Sequence, residues 1–301
     1  MLSSHRTNSK VLDQHISSLK KLNDLPKEIN VSTITITCKI NTEFNIINIG
    51  KYIKLSEGSI YSVKYKYCDN ENCIRSLIKK KPKKSKKKKK KKRLFYNQAK
   101  IEIYKKNSNK FVNVKLFKNG YIHMTGCRNY NDFDRTLRIL CRELNRTMAI
   151  IVHTKTKKQI IKNIVLKEFV KNKENIDINK VERFNINMIN TNFKIGYKID
   201  RTILYELLKS MNIECMYEPN VHACVNIKHN YKNEATISIF VFESGSIIIT
   251  AAKKKEHIDS AYKFIMDILN KNKQKIHKYD VQSFLKGIDI SKLKGIDISK
   301  L

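Results

Sequence analysis

A doubled segment is the feature of this 301-residue chain that most restricts its fold. In residues 111–128 and again in residues 236–253, a Phe precedes a Gly by three positions and that Gly precedes a Thr by five. A basic residue follows each Thr by three positions. The matching residues, at a constant offset of 125 positions, are Phe117 and Phe242, Gly120 and Gly245, Thr125 and Thr250, and Arg128 and Lys253. This spacing predicts two copies of one structural unit.

Each copy has the pattern of a β-hairpin followed by an amphipathic helix. Polar and apolar residues alternate on both sides of a short Gly-containing turn, as in two antiparallel strands. Apolar residues then recur at helical spacing, at Phe133, Leu137, Leu140 and Leu144 in the first copy and at Ile258, Tyr262, Ile265 and Leu269 in the second. A strand and a helix come before each hairpin; the strands are predicted over 31–39 and 184–197, and Asp200 is the predicted N-cap of the second helix.

The alternation also predicts that each hairpin has one covered face and one open face. The covered face is aliphatic, as helices require, and comprises Val114, Leu116, Ile122 and Met124 in the first copy and Ile237, Ile239, Val241, Ile247 and Ile249 in the second. The open face carries Lys115, Phe117, His123 and Thr125, then Phe240, Phe242, Ile248 and Thr250. One helical layer leaves this second face uncovered, which indicates a docking surface; alternatively the open faces bury each other or a partner protein.

The net charge of +35, from 62 Lys+Arg and 27 Asp+Glu, indicates a polyanionic partner. In the run Lys79–Arg93, 13 of 15 residues are basic, so we expect a solvated segment there. The rest of the chain still carries 35 − 13 = +22. Nucleic acid is the natural counterpart, because each Lys or Arg on a phosphate releases a counterion. A localisation signal in the run and codon bias toward Ile, Asn and Lys are the alternatives.

Several classes of protein are disfavoured by what the sequence lacks. No apolar run of about 18 residues and no signal peptide is present, so no membrane association is expected. Seven cysteines fit reduced thiols inside a cell. The sequence contains no phosphate-binding loop, zinc-protease motif or nucleophile elbow. It therefore gives no indication of an enzyme, a cofactor or a small-molecule substrate. Cys215, His222, Cys224 and His229 lack a familiar zinc spacing, and His153 and His257 are expected on the surface.

The doubled segment resembles the core of the TATA-box-binding protein family. The strand–turn–strand motif of that family is similar to Ile239–Gly245 followed by Ile249–Lys253. Val31–Lys39 resembles its opening strand, and Tyr217–Pro219 matches its Tyr-Glu-Pro. The divergence, the Ile, Asn and Lys usage and the insertions look like versions carried by large nucleocytoplasmic DNA viruses. The resemblance implies an α+β fold, a saddle in which two pseudo-symmetric repeats form one curved antiparallel sheet with helices on its convex face.

The same resemblance divides the chain into five segments. They are an N-terminal segment 1–28, repeat 1 over 29–145 with a Lys-rich insertion at 76–94, a connection 146–183, repeat 2 over 184–274, and a tail 275–301. The tail contains an exact tandem octapeptide, LKGIDISK, to which we assign no function.

The function implied by the resemblance is that of a general transcription initiation factor. Such a factor binds A·T-rich promoter DNA in the minor groove, bends it, and recruits a B-type initiation factor and RNA polymerase. The resemblance further implies a place inside the infected cell, in the host cytoplasm or nucleus, with packaging into the virion as one option. A protein that coats or packages DNA or RNA without sequence preference is the rival hypothesis.

Position by position, the resemblance implies DNA contacts and a partner-binding loop, the stirrup. The implied DNA contacts are Phe117 and Phe242 as intercalating wedges, Ile60 and His222 in place of the second Phe of each wedge pair, Thr125 and Thr250 as donors to base edges, Asn30 and Asn187 as central asparagines, Lys66, Arg128, Lys228 and Lys253 as phosphate contacts, and His123, Phe240 and Ile248 on the groove-facing surface. The stirrup residues are Glu218, Asn220 and Val221.

Overall fold

The computed structural model describes residues 16–67, 71–78, 95–105, 110–155 and 160–279 of an α+β protein. The run Lys79–Arg93 and the tandem octapeptide lie outside the described residues. The chain divides into two units: unit 1 comprises 1–192 and 250–259, and unit 2 comprises 193–249 and 260–301.

Each repeat contains the predicted strand, helix, hairpin and helix in that order, together with additional strands. The strands are β1 (Asn30–Ile40), β2 (Ile60–Tyr67), β3 (Glu71–Ser76), β4 (Gln98–Tyr104), β5 (Phe111–Phe117), β6 (Tyr121–Cys127), β7 (Thr147–Lys155), β8 (Ile160–Glu168), β9 (Val181–Lys194), β10 (Cys215–Met216), β11 (Cys224–Tyr231), β12 (Ala235–Phe242) and β13 (Ser246–Ala252). The α-helices are α1 (Ile46–Tyr52), α2 (Tyr130–Leu144), α3 (Arg201–Ser210), α4 (Lys255–Lys271) and α5 (Lys273–Ile276), and 3-10 turns lie at Lys21–Asp24, Lys173–Asn175 and Ile178–Lys180.

In unit 1 an antiparallel sheet has the strand order β9-β1-β6-β5-β4-β2-β3. Helix α1 packs on β2 and β4, and helix α2 packs on β6. The predicted covered residues of the first hairpin are fully buried, and so are the four apolar residues predicted for α2. Phe133 of α2 meets Phe184 of β9 edge-to-face at 5.0 Å between ring centroids. The predicted faces of the first hairpin are therefore confirmed.

In unit 2 the strand order is β10-β11-β12-β13, and helices α3 and α4 supply its core. The Asp200 side chain accepts hydrogen bonds from the backbone N–H groups of Thr202 and Ile203, which confirms the predicted N-cap. The aliphatic residues predicted for the covered face of the second hairpin are all fully buried. Tyr262 of α4 packs edge-to-face on Phe193 with ring centroids 5.0 Å apart.

Strand pairing relates the two repeats element by element. Gln98 of β4 lies opposite Phe117 of β5, and Cys224 of β11 lies opposite Phe242 of β12. The run β4-β5-β6 thus corresponds to β11-β12-β13, and β2 corresponds to β10. Among the described strands of unit 2, β3 has no counterpart. The part of repeat 1 that has no counterpart in repeat 2 therefore includes β3, next to the Lys-rich insertion predicted at 76–94.

The connection between the repeats contains a hairpin that the sequence analysis did not predict. Strands β7 and β8 pair with each other in a separate two-stranded sheet. Ile151 lies opposite Ile164, and these side chains are 63% and 73% exposed. The hairpin joins α1 at its base, where the Asn48 side chain donates to the Glu168 carbonyl at 2.7 Å.

Candidate nucleic-acid interface

Polar and aromatic side chains occupy the open face of the unit 1 sheet. Along one row of this face, His123 of β6 lies opposite Thr37 of β1 on one side and opposite Lys115 of β5 on the other. Thr125 lies opposite Thr35 and Asn113 in the next row. All these residues except Thr35 are half-buried, in contrast to the fully buried residues between them. The sheet thus brings together the predicted contacts Phe117, His123 and Thr125.

A shallow cavity of about 430 Å³ lies beside Phe117 on this face. Thr37, Lys115, Tyr121 and His123 contribute to its lining. The Nδ1 atom of His123 is buried and has no hydrogen-bond partner within the described residues. Burial first, and the positive charge of Lys115 second, lower the pKa of His123 below its ordinary value of 6.5. The imidazole is therefore neutral near pH 7.

The lowered pKa of His123 makes the stability of the protein depend on pH. Below pH 6.5 the unfolded chain binds more protons at this residue than the folded protein does. The free energy of unfolding should therefore be fully retained above pH 6.5 and fall as the pH drops through 6.5 toward the lower folded-state pKa, by at most about 1.4 kcal/mol per pH unit. Urea unfolding at pH 5, 6 and 7.5 should show a smaller fall for His123→Gln than for wild type. His153→Gln, at an exposed position on β7, controls for loss of an imidazole; equal falls in wild type and His123→Gln would contradict the expectation.

Threonines and asparagines meet at strands β1 and β9. The Thr250 hydroxyl lies 2.5 Å from Oδ1 of Asn190, and the Thr37 hydroxyl donates to Oδ1 of Asn187 at 2.9 Å. Asn187 is exposed beside a register shift of β9, and Asn30 is exposed at the start of β1. The structure thus brings Asn190, which the sequence analysis missed, to Thr250. Its sole signal in the sequence was the alternation of polar residues along β9.

The open face of unit 2 is more apolar. Phe240, Phe242 and Ile248 are half-buried, as alternation predicted. Phe240 lies opposite Asn226, whose Oδ1 is buried and unbonded within the described residues. Lys228 lies opposite Ser238 and donates to its hydroxyl at 2.8 Å. This face therefore offers aromatic and aliphatic surface flanked by one lysine.

The structure contradicts the assignment of Ile60 as a wedge residue. Ile60 is fully buried at the start of β2, where the pairing with β4 shifts register between Ile60 and Ser62. His222 lies two residues before Cys224, the partner of Phe242; the equivalent residue, two before Gln98, is Tyr96. Tyr96 is 78% exposed, and the carbonyl of the next residue, Asn97, accepts from Lys118 N–H at 2.9 Å, beside Phe117. Tyr96 thus occupies the position predicted for Ile60.

The same alignment corrects the pairing of Lys66 with Lys228. Lys66 is half-buried on β2 and lies opposite Asn72 of β3. The residue equivalent to Lys228 is Glu102 of β4, which lies opposite Asn113 as Lys228 lies opposite Ser238. Glu102 accepts hydrogen bonds from Ser62 at 2.6 Å and from Lys64 at 3.1 Å. Repeat 1 therefore has a carboxylate where repeat 2 has a lysine.

Arg128 and Lys253 immediately follow β6 and β13. Arg128 N–H donates to the Asp132 carboxylate at 2.9 Å, and Lys253 N–H donates to Nδ1 of His257 at 3.3 Å. The two capping contacts are again 125 positions apart. His257 is only 2% exposed, so the expectation that it lies on the surface was wrong: its ring closes the start of a helix.

The predicted stirrup residues are exposed together. Val221 and His222 donate their backbone N–H groups to the Glu218 carbonyl at 2.9 and 2.8 Å, which forms a turn. Glu218, Asn220 and Val221 all have exposed side chains, and Val221 is 70% exposed. At the base of this loop the Arg201 guanidinium lies 5.5 Å from the centroid of the Tyr217 ring.

Within the described ranges, no cluster of three or more His, Cys, Asp or Glu side chains could hold a metal ion. No helix in these ranges is long and apolar enough to cross a membrane.

Comparison with known proteins identifies the family. The family model described as "Transcription factor TFIID (or TATA-binding protein, TBP)" matches residues 183–272. A "TATA-box-binding protein-like" protein of Acanthamoeba polyphaga mimivirus is 35% identical over 296 residues, which cover 92% of this chain and 74% of that protein. The solved structure of Methanococcus jannaschii TBP covers 81% of this chain and 99% of its own at 13% identity, with a TM-score of 0.45. On the sequence relationships, the chain belongs to the TATA-box-binding protein family, as a divergent member related to the mimivirus protein.

Proposed function

We propose that the protein is a transcription initiation factor that binds A·T-rich promoter DNA in the minor groove and bends it. The observation that carries the proposal is the doubled open face. In both repeats a Phe and a Thr, eight positions apart, lie on the uncovered side of a sheet whose other side is buried. Membership of a family of non-enzymatic, DNA-binding transcription factors supports the same conclusion.

The chemistry of the minor groove suits these residues. A·T and T·A pairs present only acceptors there, whereas a G·C pair adds the protruding N2 amine of guanine. The Thr125 hydroxyl can donate to the acceptors, and the Thr250 hydroxyl can do so when it exchanges its bond to Oδ1 of Asn190. The apolar Phe240 and Ile248 leave no partner for the amine. Phe117 and Phe242 can unstack base steps, which costs a few kcal/mol per step and favours flexible TA steps.

Recruitment of a B-type initiation factor and RNA polymerase is proposed for the loop around Glu218. This loop is exposed and offers an apolar side chain, Val221, beside a carboxylate. A patch of that composition suits a protein surface better than a phosphate backbone, which a carboxylate repels.

A competition assay with A·T-rich and G·C-rich duplexes at one moderate salt concentration tests the proposal. We expect the A·T-rich duplex to bind at least tenfold more tightly, which is about 1.4 kcal/mol, since each unfavourable base pair typically costs 1–3 kcal/mol. Dyes at the duplex ends should also report bending. Equal affinity for the two duplexes without bending would contradict the proposal and favour a protein that coats nucleic acid through charge alone.

A further inference from the structure

A row of lysines crosses the open face of repeat 1. Lys64 of β2 lies opposite Lys100 of β4, and Lys100 lies opposite Lys115 of β5. We call these three residues the cation row. All three are half-buried on adjacent strands, and strands in a sheet are about 4.8 Å apart. The three Cα atoms therefore lie within a span of roughly 10 Å.

Such a row has an electrostatic cost in the folded protein. Like charges directly opposite each other on a sheet are destabilising, by a fraction of a kcal/mol per pair. Glu102 offsets part of this cost, because its Oε1 lies 3.1 Å from Nζ of Lys64. An anionic ligand on this face would further relieve the repulsion among the three like charges.

Repeat 2 builds the equivalent row without any charge. The positions 125 residues beyond Lys115 and His123 are Phe240 and Ile248. Phe240 lies opposite Asn226 of β11, and Asn226 lies opposite Met216 of β10. Because the same hairpin folds with these neutral residues, the fold itself does not require lysines at these positions.

We propose that the cation row is a binding site for the phosphates of a DNA strand, in addition to the base contacts proposed above for both repeats. The inference rests on the proposed function, but it makes a separate claim about this face. Ammonium groups are compact, strongly hydrated charges that pair well with phosphates, whereas Phe240 and Ile248 suit the groove floor. A protein with two unequal faces binds an asymmetric site in one preferred orientation.

The test compares Lys115→Ala with Lys162→Ala, which removes the same charge from an exposed position on the β8 hairpin. A lost phosphate contact lowers the slope of log affinity against log salt by about 0.9. For Lys115→Ala, this change in slope corresponds to a roughly eightfold loss of affinity at 0.1 M salt. The loss should be equal on A·T-rich and G·C-rich duplexes. Lys115→Arg should retain the slope, and thermal unfolding should verify that each variant is folded.

Each outcome decides the proposal. If Lys115→Ala behaves like Lys162→Ala, the cation row does not contact DNA. If its loss appears only on the A·T-rich duplex, Lys115 contacts bases rather than phosphates, which also overturns the proposal. An absence of A·T preference in the wild-type protein would instead reject the proposed function, while a uniform eightfold loss in Lys115→Ala would still support the phosphate site.

Discussion

Replacing Gly120 by Ala is expected to lower the free energy of unfolding by about 3 kcal/mol or more, and replacing Gly245 by Ala should have a similar effect. Gly120 has φ +86°, and an added Cβ would lie 2.2 Å from the Ile40 carbonyl oxygen. Gly245 has φ +76°, and its Cβ would lie 2.3 Å from the Tyr197 carbonyl oxygen. At either site an alanine would be strained by the left-handed backbone conformation, and its Cβ would overlap a carbonyl oxygen. Backbone atoms must therefore move to accommodate it.

Gly58 provides the matched control. It has φ +75°, but an added Cβ would meet nothing within 4 Å. Gly58→Ala should therefore cost only about 1–2 kcal/mol, the strain of the left-handed conformation. Urea unfolding of the three variants measures the difference. If Gly120→Ala and Gly58→Ala had the same free energy of unfolding, the close approach of the Ile40 backbone to Gly120 would not explain the need for glycine at position 120.

These two turns explain why the repeat was readable in the sequence. Gly120 N–H donates to Phe117 C=O at 2.9 Å and Gly245 N–H donates to Phe242 C=O at 3.0 Å. The turn therefore fixes the number of residues between each Phe and the following strand. Alternation along that strand then places the Thr on the same face as the Phe. Because sterics, hydrogen bonding and burial all impose the same spacing, the hairpins, their two faces and the helices after them could be predicted from residue order.

The second wedge position could not be located in this way. A basic run and the additional strand β3 separate β2 from β4 in the chain. Residue order alone therefore matched β2 with β11 and gave Ile60 as the counterpart of His222. Only the pairing of Gln98 with Phe117 identifies β4 as the counterpart of β11. The sequence does contain one signal for Tyr96. Tyr96 lies two residues before the alternating strand β4, just as His222 lies two residues before β11. Exposure of Tyr96 then follows from its place before the strand.

Two other features were missed because the local sequence gives a weak or misleading signal for them. The sequence that joins β7 and β8 contains no Gly, and both strands carry apolar residues at odd and even positions, so no alternation marked them as a half-buried sheet. His257 lies beside lysines in the sequence but is buried in the first turn of α4, where its ring accepts from the Lys253 N–H. For His257, local composition indicated solvent, whereas the tertiary structure buries the ring.

Replacing Tyr96 by Ala is expected to weaken DNA binding by about 1–3 kcal/mol and to reduce DNA bending, as Phe117→Ala should. Tyr96 lies two residues before Gln98, which pairs with Phe117, and the Asn97 carbonyl accepts from the Lys118 N–H at 2.9 Å. The backbone at Tyr96 therefore lies beside the end of β5 that carries Phe117. We expect the two rings to act on one base step, so that removing either ring leaves less surface to replace the lost stacking. Energy transfer between dyes at the ends of an A·T-rich duplex measures the bend at fixed salt.

Ile60→Ala and Tyr96→Phe are the controls that separate the aligned position from the earlier prediction. Since Ile60 is fully buried, its truncation should lower the free energy of unfolding by about 2–5 kcal/mol while the folded fraction still bends DNA normally. Tyr96→Phe keeps the ring and should retain bending. A bend lost in Ile60→Ala but kept in Tyr96→Ala would restore Ile60 as the wedge and show that β2, rather than β4, contacts DNA.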